Sequence, residues 1–468
     1  MGLGLRSDGT KFGLSAFGLE LFSDLPERVR PTPTRAVAEA HFARRWAGFV
    51  AREPEAGWVL LHRNHHVERR PGKAKVLVGQ FAANGDLEKI EPVANGEEQP
   101  FPETRQLAEA ICAAHRTTRE LPERRRPRQL LRAAERAMAE LDGSGPKFDR
   151  FPDLFRLSLA CQVSFEPMPE GTARFQPPDF RFRRSLGGGG LNVVARLSED
   201  FETVDVWLQI HHVAADGAPI QEMLTRLERA WGVRESVHYP AEDRSTGAWL
   251  RPLQAAVDDR PICEVLDFIN FAPLQAWRES MNQRHRERIG GAAPVVCALL
   301  WQLARQPEFA GRKFSTAVDL PAKGRHSRAV DLVGICPADY PPTSEGFADF
   351  AREYLRLLEL ARARSTSGWK LMRQMSLLPP WLATRALAVG VARGRQVFGT
   401  VGVSMLKDAR VFSAPMEDAG WYEGFLAVGN LNLPTRDGGT VAAVTARGES
   451  KTLQGYPDAI RRAIRACG

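Results

Sequence analysis

Two stretches of this chain repeat the same order of structural signals, and no other feature constrains the fold as tightly. VDVWLQIHHVAADGAPIQEML, at 204–224, opens as an apolar strand, turns at a glycine and continues as a helix. TVAAVTARGESKTLQGYPDAIRRAIRAC, at 440–467, does the same. Aligned on the turn, Gly217 falls on Gly455 and Pro219 on Pro457. In this register His211 meets Glu449, His212 meets Ser450 and Asp216 meets Gln454. The second copy keeps the scaffold residues and lacks every chemical one. The simplest account is two related lobes in one chain, one reactive and one degenerate.

The rest of the chain fits that account. Its 468 residues suffice for two or three domains or one large two-lobed body. Apolar residues make up 43% and charged residues 26%, which excludes a disordered chain and allows a real core. Thr34 and the three- and four-residue spacing after it predict a helix over 34–52. WVLLHR, KVLVGQFAA, the LFRLSLACQVSFEP region, VDVWLQI, FSTAVDLP, TVGVSML, GFLAVGNLNL and TVAAVTARG read as strands. PVVCALLWQLARQ, FADFAREYLRLLELARARS, LLPPWLATRALAVGVARGR and residues 457–467 read as helices, as does a basic stretch over 103–141. Strands and helices alternate throughout, so the expected class is α/β. The polar, irregular segment at 233–260 places a linker at 241–260, between an N-terminal lobe at 1–240 and a C-terminal lobe at 261–468.

Several function classes fall away. The six cysteines form no CxxC pair, which argues against a zinc ribbon and a disulfide scaffold. No uninterrupted apolar run reaches membrane-spanning length, and MGLGLRSDGTKFG lacks a signal-length apolar run, so the expected compartment is the cytoplasm. The net charge of +8 is compatible with phosphate-bearing cosubstrates, acidic carrier proteins or peripheral contact with anionic membranes. RRRPRQLLRAAERA, at 124–137, is the basic patch for such docking, and a solvated helix face is its default reading. Nucleic-acid binding is disfavoured because no aromatics interleave that patch. HRNHHVERR, at 62–70, lacks a carboxylate or cysteine set and reads as a solvated turn or strand rather than a metal site. The GGGG at 187–190 is a flexible loop rather than a phosphate loop, because no Lys-Ser or Lys-Thr follows it.

The chemistry concentrates in HHVAADG, at 211–217. Histidine is the natural general base near neutral pH, and a strand end holds it on a rigid platform. His211 and His212 are consecutive on a strand and point to opposite faces, so joint metal ligation is not expected. Asp216, if buried, must be paired, and an arginine partner would pin the turn that aims the histidine. Gly217 gives the backbone freedom to enter the helix sharply.

HHVAADG matches the HHxxxDG motif, and the chain thereby resembles the CoA-dependent acyltransferase superfamily. That group includes chloramphenicol acetyltransferase, 2-oxo-acid dehydrogenase acyltransferase cores, condensation domains, wax ester synthases and plant BAHD acyltransferases. RPTPTRAVAEA is similar to the helix that opens the dehydrogenase cores. FSTAVDLPAKGRHSRAVDLVGICP, and GTVGVSMLKDARVFSAP followed by FLAVGNL, resemble second-lobe segments of condensation-type and wax-ester-type members. DLVGICP departs from the family in lacking the DFGWG of the plant enzymes and the Gly-Asn of condensation domains.

The resemblance implies a two-lobed chloramphenicol-acetyltransferase-like α/β fold with an active-site channel between the lobes. It implies acyl transfer from acyl-CoA, or from a carrier-bound pantetheine thioester, to a small-molecule hydroxyl or amine acceptor. No permanently bound cofactor and no metal are expected, and an acyl carrier protein is a possible partner. His212 would be the general base, with His211 beside it. Asp216 would be structural, with Arg35 the candidate salt-bridge partner, and Gly217 would permit the turn. Thr400 or Ser404 would steady the oxyanion. Two rivals are a condensation-type catalyst acting on carrier-bound substrates and a non-catalytic, degenerate family member.

Overall fold

The computed structural model describes residues 11–53, 58–63, 66–71, 75–81, 87–93, 160–178, 191–211, 217–234, 237–242, 249–253, 262–320, 329–366, 370, 399–413, 422–449, 453 and 455–468. The basic stretch over 103–141, the GGGG loop and the expected helix over LLPPWLATRALAVGVARGR lie outside them. The chain is α/β, as expected, and parts into two units, Lys11–Val237 and His238–Gly468.

The first unit holds β1 (Lys11–Glu20), α1 (Arg35–Val50), β2 (Trp58–Arg63), β3 (His66–Pro71), β4 (Lys75–Phe81), β5 (Leu87–Val93), β6 (Ala160–Pro167), β7 (Leu191–Leu197), β8 (Thr203–His211) and α2 (Gly217–Trp231). β2 and β3 pair as a separate two-stranded sheet, and the described residues of the histidine-rich HRNHHVERR stretch lie on these two strands. The second unit holds β9 (Trp249–Leu253), β10 (Ile262–Ile269), α3 (Ala272–Arg284), α4 (Arg286–Ile289), α5 (Val295–Leu303), β11 (Phe314–Leu320), β12 (Ala329–Ile335), α6 (Ser344–Arg362), β13 (Val401–Met405), β14 (Phe412–Ser413), β15 (Gly424–Val428), β16 (Leu433–Pro434), β17 (Thr440–Glu449) and α7 (Tyr456–Arg465). β9 falls inside the stretch read as a linker, where it pairs along β10.

The two units are built on one plan. In the first, strands run in the order β1-β8-β7-β6-β4-β5, paired antiparallel, antiparallel, parallel, parallel and antiparallel. In the second, β10-β17-β15-β13-β11-β12 repeats that order and those directions. The register read from the sequence holds at element ends. His211 closes β8 as Glu449 closes β17, and helices begin at Gly217 and at Tyr456, beside Gly455.

Each sheet has one face under helices and one that carries polar groups. On β8, Val204, Val206, Leu208 and Ile210 are all at most 3% exposed, on the helix side. Phe42 of α1 meets Phe165 of β6 at 5.6 Å and Trp231 of α2 at 5.3 Å between ring centroids. α2 presents Ile220, Met223, Leu224, Leu227 and Trp231, buried at helical spacing. In the second unit α5 is buried on nearly every side, because VVCALLWQL is apolar all round. α6 starts at a threonine cap, Thr343, which accepts from the Gly346 N–H at 3.1 Å, and buries Phe347, Phe350, Ala351 and Tyr354. α7 is tied to the sheet by Arg461, which donates to both oxygens of Asp267 on β10, at 2.6 and 3.0 Å.

The polar face of the first sheet centres on Asp205, which is 0% exposed. Opposite it β1 carries a bulge: Ala16 pairs Val206 and Leu19 pairs Val204, leaving Phe17 and Gly18 against one residue. Gly18 takes φ +65°, and a Cβ there would come within 2.5 Å of Val237 Cγ2, so only glycine fits. The Gly18 N–H donates to Asp205 at 2.8 Å, and Arg174 donates to both carboxylate oxygens at 2.6 and 2.7 Å. Arg196, beside Asp205 on β7, donates to the carbonyls of Arg174 and Gln176 at 3.1 and 2.7 Å and so holds the turn that carries Arg174. Burial pushes the Asp205 carboxyl pKa up, against the opposing pull of Arg174. Asp205→Ala leaves the Arg174 guanidinium and the Gly18 N–H without their acceptor. A loss of about 3 kcal/mol is expected in urea unfolding.

Asp331 on β12 is buried differently. It accepts from Thr366 Oγ1 at 2.6 Å and from the Leu332 N–H at 2.9 Å, and burial is the main cause of its raised pKa. The folded state therefore holds this proton more tightly than the unfolded chain. Stability falls as pH rises from the ordinary carboxyl value near ~4 through the raised folded value. In Asp331→Asn the carboxamide accepts from Leu332 and donates to Thr366. The variant should match the native chain near pH ~4 and exceed its urea midpoint at neutral pH.

Candidate functional site

The candidate site is the junction between β8 and α2, and its two ends are held firmly. β8 is hydrogen-bonded along both edges, to β1 and to β7. His211 is its last residue, opposite Lys11 on β1. Gly217 is buried and opens α2. His212 and Asp216 lie outside the described residues.

The far end of α2 is clamped by Arg45 of α1. Its guanidinium donates to the Glu20 and Leu21 carbonyls, both at 2.8 Å, and to the Ala230 carbonyl at 3.1 Å. It also lies 4.3 Å from the centroid of the Trp231 ring. A cation at the last carbonyls of a helix is favourable both as a cap and against the helix dipole. Arg226 of α2 adds a two-pronged bond to Glu53, past the end of α1, with its shortest contact at 2.6 Å. The strand and the helix on either side of HVAADG are therefore both tied to β1, one by its ladder and the other through Arg45.

Arg35, the expected partner of Asp216, begins α1 with its side chain 61% exposed and bonded to Glu39 at 2.8 Å. Thr400 and Ser404, the expected oxyanion donors, belong to the second unit. Ser404 lies within β13, opposite Ala427 of β15. Thr400 directly precedes β13. Its N–H donates to the Lys313 carbonyl at 2.9 Å and its carbonyl accepts from the Glu423 N–H at 2.7 Å. The Thr400 Oγ1 is buried and has no partner among the described residues.

Three residues that were not singled out from sequence line the polar face near the end of β8. Gln209, two residues before His211, faces Asn192 on β7, whose Nδ2 donates to Gln209 Oε1 at 3.3 Å. Trp207 lies next along the same face, with Arg196 Cζ 5.6 Å from the centroid of its ring. The available signal was a lone carboxamide in each of two otherwise apolar strands, LNVV and VWLQI. Groups of histidine, cysteine, aspartate and glutamate able to hold a metal do not occur among the described residues. No described helix is long and apolar enough to cross a membrane.

No protein-family model and no curated protein match the chain. Solved structures do. The first condensation domain of the CDA synthetase is 10% identical over 99% of this chain and 92% of its own, with a TM-score of 0.48. The wax ester synthase/diacylglycerol acyltransferase from Marinobacter aquaeolei VT8 is 12% identical over 99% of this chain and 95% of its own, with a TM-score of 0.42. The cubic core of the pyruvate dehydrogenase multienzyme complex is 15% identical over 45% of this chain and 82% of its own, with a TM-score of 0.31. At these TM-scores the likeness assigns neither family nor activity, so the chain's own residues must carry the functional reading.

A buried hydroxyl without a partner lowers stability, and Thr400 offers a direct measure. Thr400→Val keeps the side-chain shape and removes the open oxygen. The expected result is a gain of about 1 kcal/mol in urea unfolding.

Proposed function

We propose that the chain is an acyltransferase that moves an acyl group from coenzyme A, or from a pantetheine thioester, to a hydroxyl or amine acceptor. One observation carries the reading. Two units share one strand plan, yet only one of them bears His-His-x-x-x-Asp-Gly where its sheet passes into its helix. The other has Glu449, Ser450 and Gln454 at the corresponding places. A constraint of the fold alone would act on both copies, so the difference supports a chemical role.

In this reading the His212 imidazole takes the proton of the acceptor O–H or N–H as that atom attacks the thioester carbonyl. The carbon–sulfur bond breaks as the tetrahedral intermediate collapses, and the imidazolium returns the proton to the leaving thiolate. Asp216 is the structural anion of the turn, and Gly217 lets the chain enter α2. The open Thr400 hydroxyl is assigned to the oxyanion, with Ser404 the alternative donor. An acyl carrier protein remains the candidate partner if the thioester is carrier-bound.

The test is mass-spectrometric detection of acyl-CoA consumption against panels of alcohols and amines. His212→Ala should abolish turnover while its urea midpoint stays within the error of the native chain. Native-level turnover in that variant would remove the proposed base. Thr400→Val should lose about 10²-fold in kcat without losing stability.

A further inference from the structure

The polar face of the first sheet holds one pair of side chains that is left open. Asn192 and Gln209 share a single hydrogen bond, Asn192 Nδ2 to Gln209 Oε1 at 3.3 Å. Asn192 is 2% exposed, and its Oδ1 has no partner among the described residues. The Gln209 side chain makes no other bond to a described residue, so its Nε2 donors are open as well. The pair thus presents an acceptor and a donor on separate atoms, two residues from the strand end at His211. Buried acceptors without partners are rare and call for an explanation.

The second unit shows that this sheet position can be closed from within. Arg447 stands two residues before the end of β17, as Gln209 does before the end of β8. Its partner on β15 is Phe425, as that of Gln209 on β7 is Asn192. There Arg447 bonds to the buried Glu264 at 2.9 Å, and the Phe425 ring occupies the space above Gly402 where a Cβ would stand. One copy of the position is satisfied by an ion pair and a ring. The other is neutral and unfinished, and it is the copy beside the histidines.

We propose that Asn192 and Gln209 form a subsite for an amide group of a ligand, whose N–H donates to Asn192 Oδ1 and whose C=O accepts from Gln209 Nε2. An amide carries donor and acceptor on two atoms, as the open pair does. The carboxamides are neutral, so they bind without demanding a counter-ion from the ligand. The subsite stands on the hydrogen bonding of the sheet, whether or not His212 acts as a base. Two kinds of ligand present such an amide: the pantetheine arm of a thioester and a peptide-like acceptor.

Titration of the full chain, followed by ligand-observed NMR, separates them. The probes are pantetheine, N-acetylalanine N-methylamide and, as a hydroxyl-only control, 1,6-hexanediol. Asn192→Leu should weaken one of the two amide probes about tenfold and leave the diol unchanged. Its urea midpoint should stay level or rise, since the leucine removes an acceptor that had no partner. Loss confined to pantetheine assigns the amide to the thioester arm, and loss confined to the peptide-like probe assigns it to the acceptor. His212→Ala should bind both probes as the native chain does, so a failure of the acyl-transfer reading and a failure of the subsite give different results. Should Asn192→Leu not fold, Gln209→Leu at the more exposed position reads the same contact. Absence of binding by both amides to the native chain, or equal affinities in the native and leucine chains, overturns the subsite.

Discussion

Asp205 is the residue on which the first sheet turns. A carboxylate with no solvent contact survives only if its oxygens are filled, and here they receive a backbone N–H from the β1 bulge and both prongs of Arg174. The consequences spread outward. The bulge requires Gly18 in a left-handed conformation, and it resets the register by which β1 pairs with the rest of β8. Arg196 fixes the turn that delivers Arg174, and it lies close to the Trp207 ring. The strand that leads into the histidine motif is therefore held by an electrostatic knot in its middle as well as by ladders on both edges.

The second unit solves a similar problem with other residues. Its sheet buries Glu264 and Asp267 on opposite faces of β10 and answers them with Arg447 and Arg461. Ser413 adds a hydrogen bond to Glu264, and the Tyr422 hydroxyl bonds Ser315 on the same face. Removing one member of such a pair leaves the other charge buried, so these sites change only in concert. That coupling offers a physical reason why two units of one plan can diverge in side chains while strand order and direction persist. The plan is set by backbone pairing, and each polar face is free to find its own self-consistent set. In the first unit, Asn192 Oδ1 is left over.

Much of the framework was legible in the residues. Periodic apolar spacing predicted α1 behind Thr34, and the structure shows that threonine accepting from the Val37 N–H at 3.4 Å. The continuous apolar run at PVVCALLWQL gave α5, and the Gly217/Gly455 register gave the repeat. β1 and β10 were missed. KFGLSAFGLE is rich in glycine, serine and alanine and has little intrinsic strand preference, so its extended form comes from pairing with β8. ICEVLDFI carries two acidic residues that look solvent-bound until Arg447 and Arg461 arrive from elsewhere in the chain. β9 was hidden in a polar stretch for the same reason, since its partner β10 supplies the edge on which it forms.

The sequence alone determined the α/β class, the doubling of a strand–turn–helix unit, and the placing of His211, His212 and Asp216 in one copy only. These follow from local periodicity and residue chemistry, which need no knowledge of distant partners. The tertiary structure alone decided which buried charges are matched, where β1 bulges, and that Asn192 and Gln209 meet across two strands with an acceptor and a donor to spare. Such facts depend on register between segments far apart in the chain, and a hydrogen bond is known to be made or missing only when both of its ends have been placed.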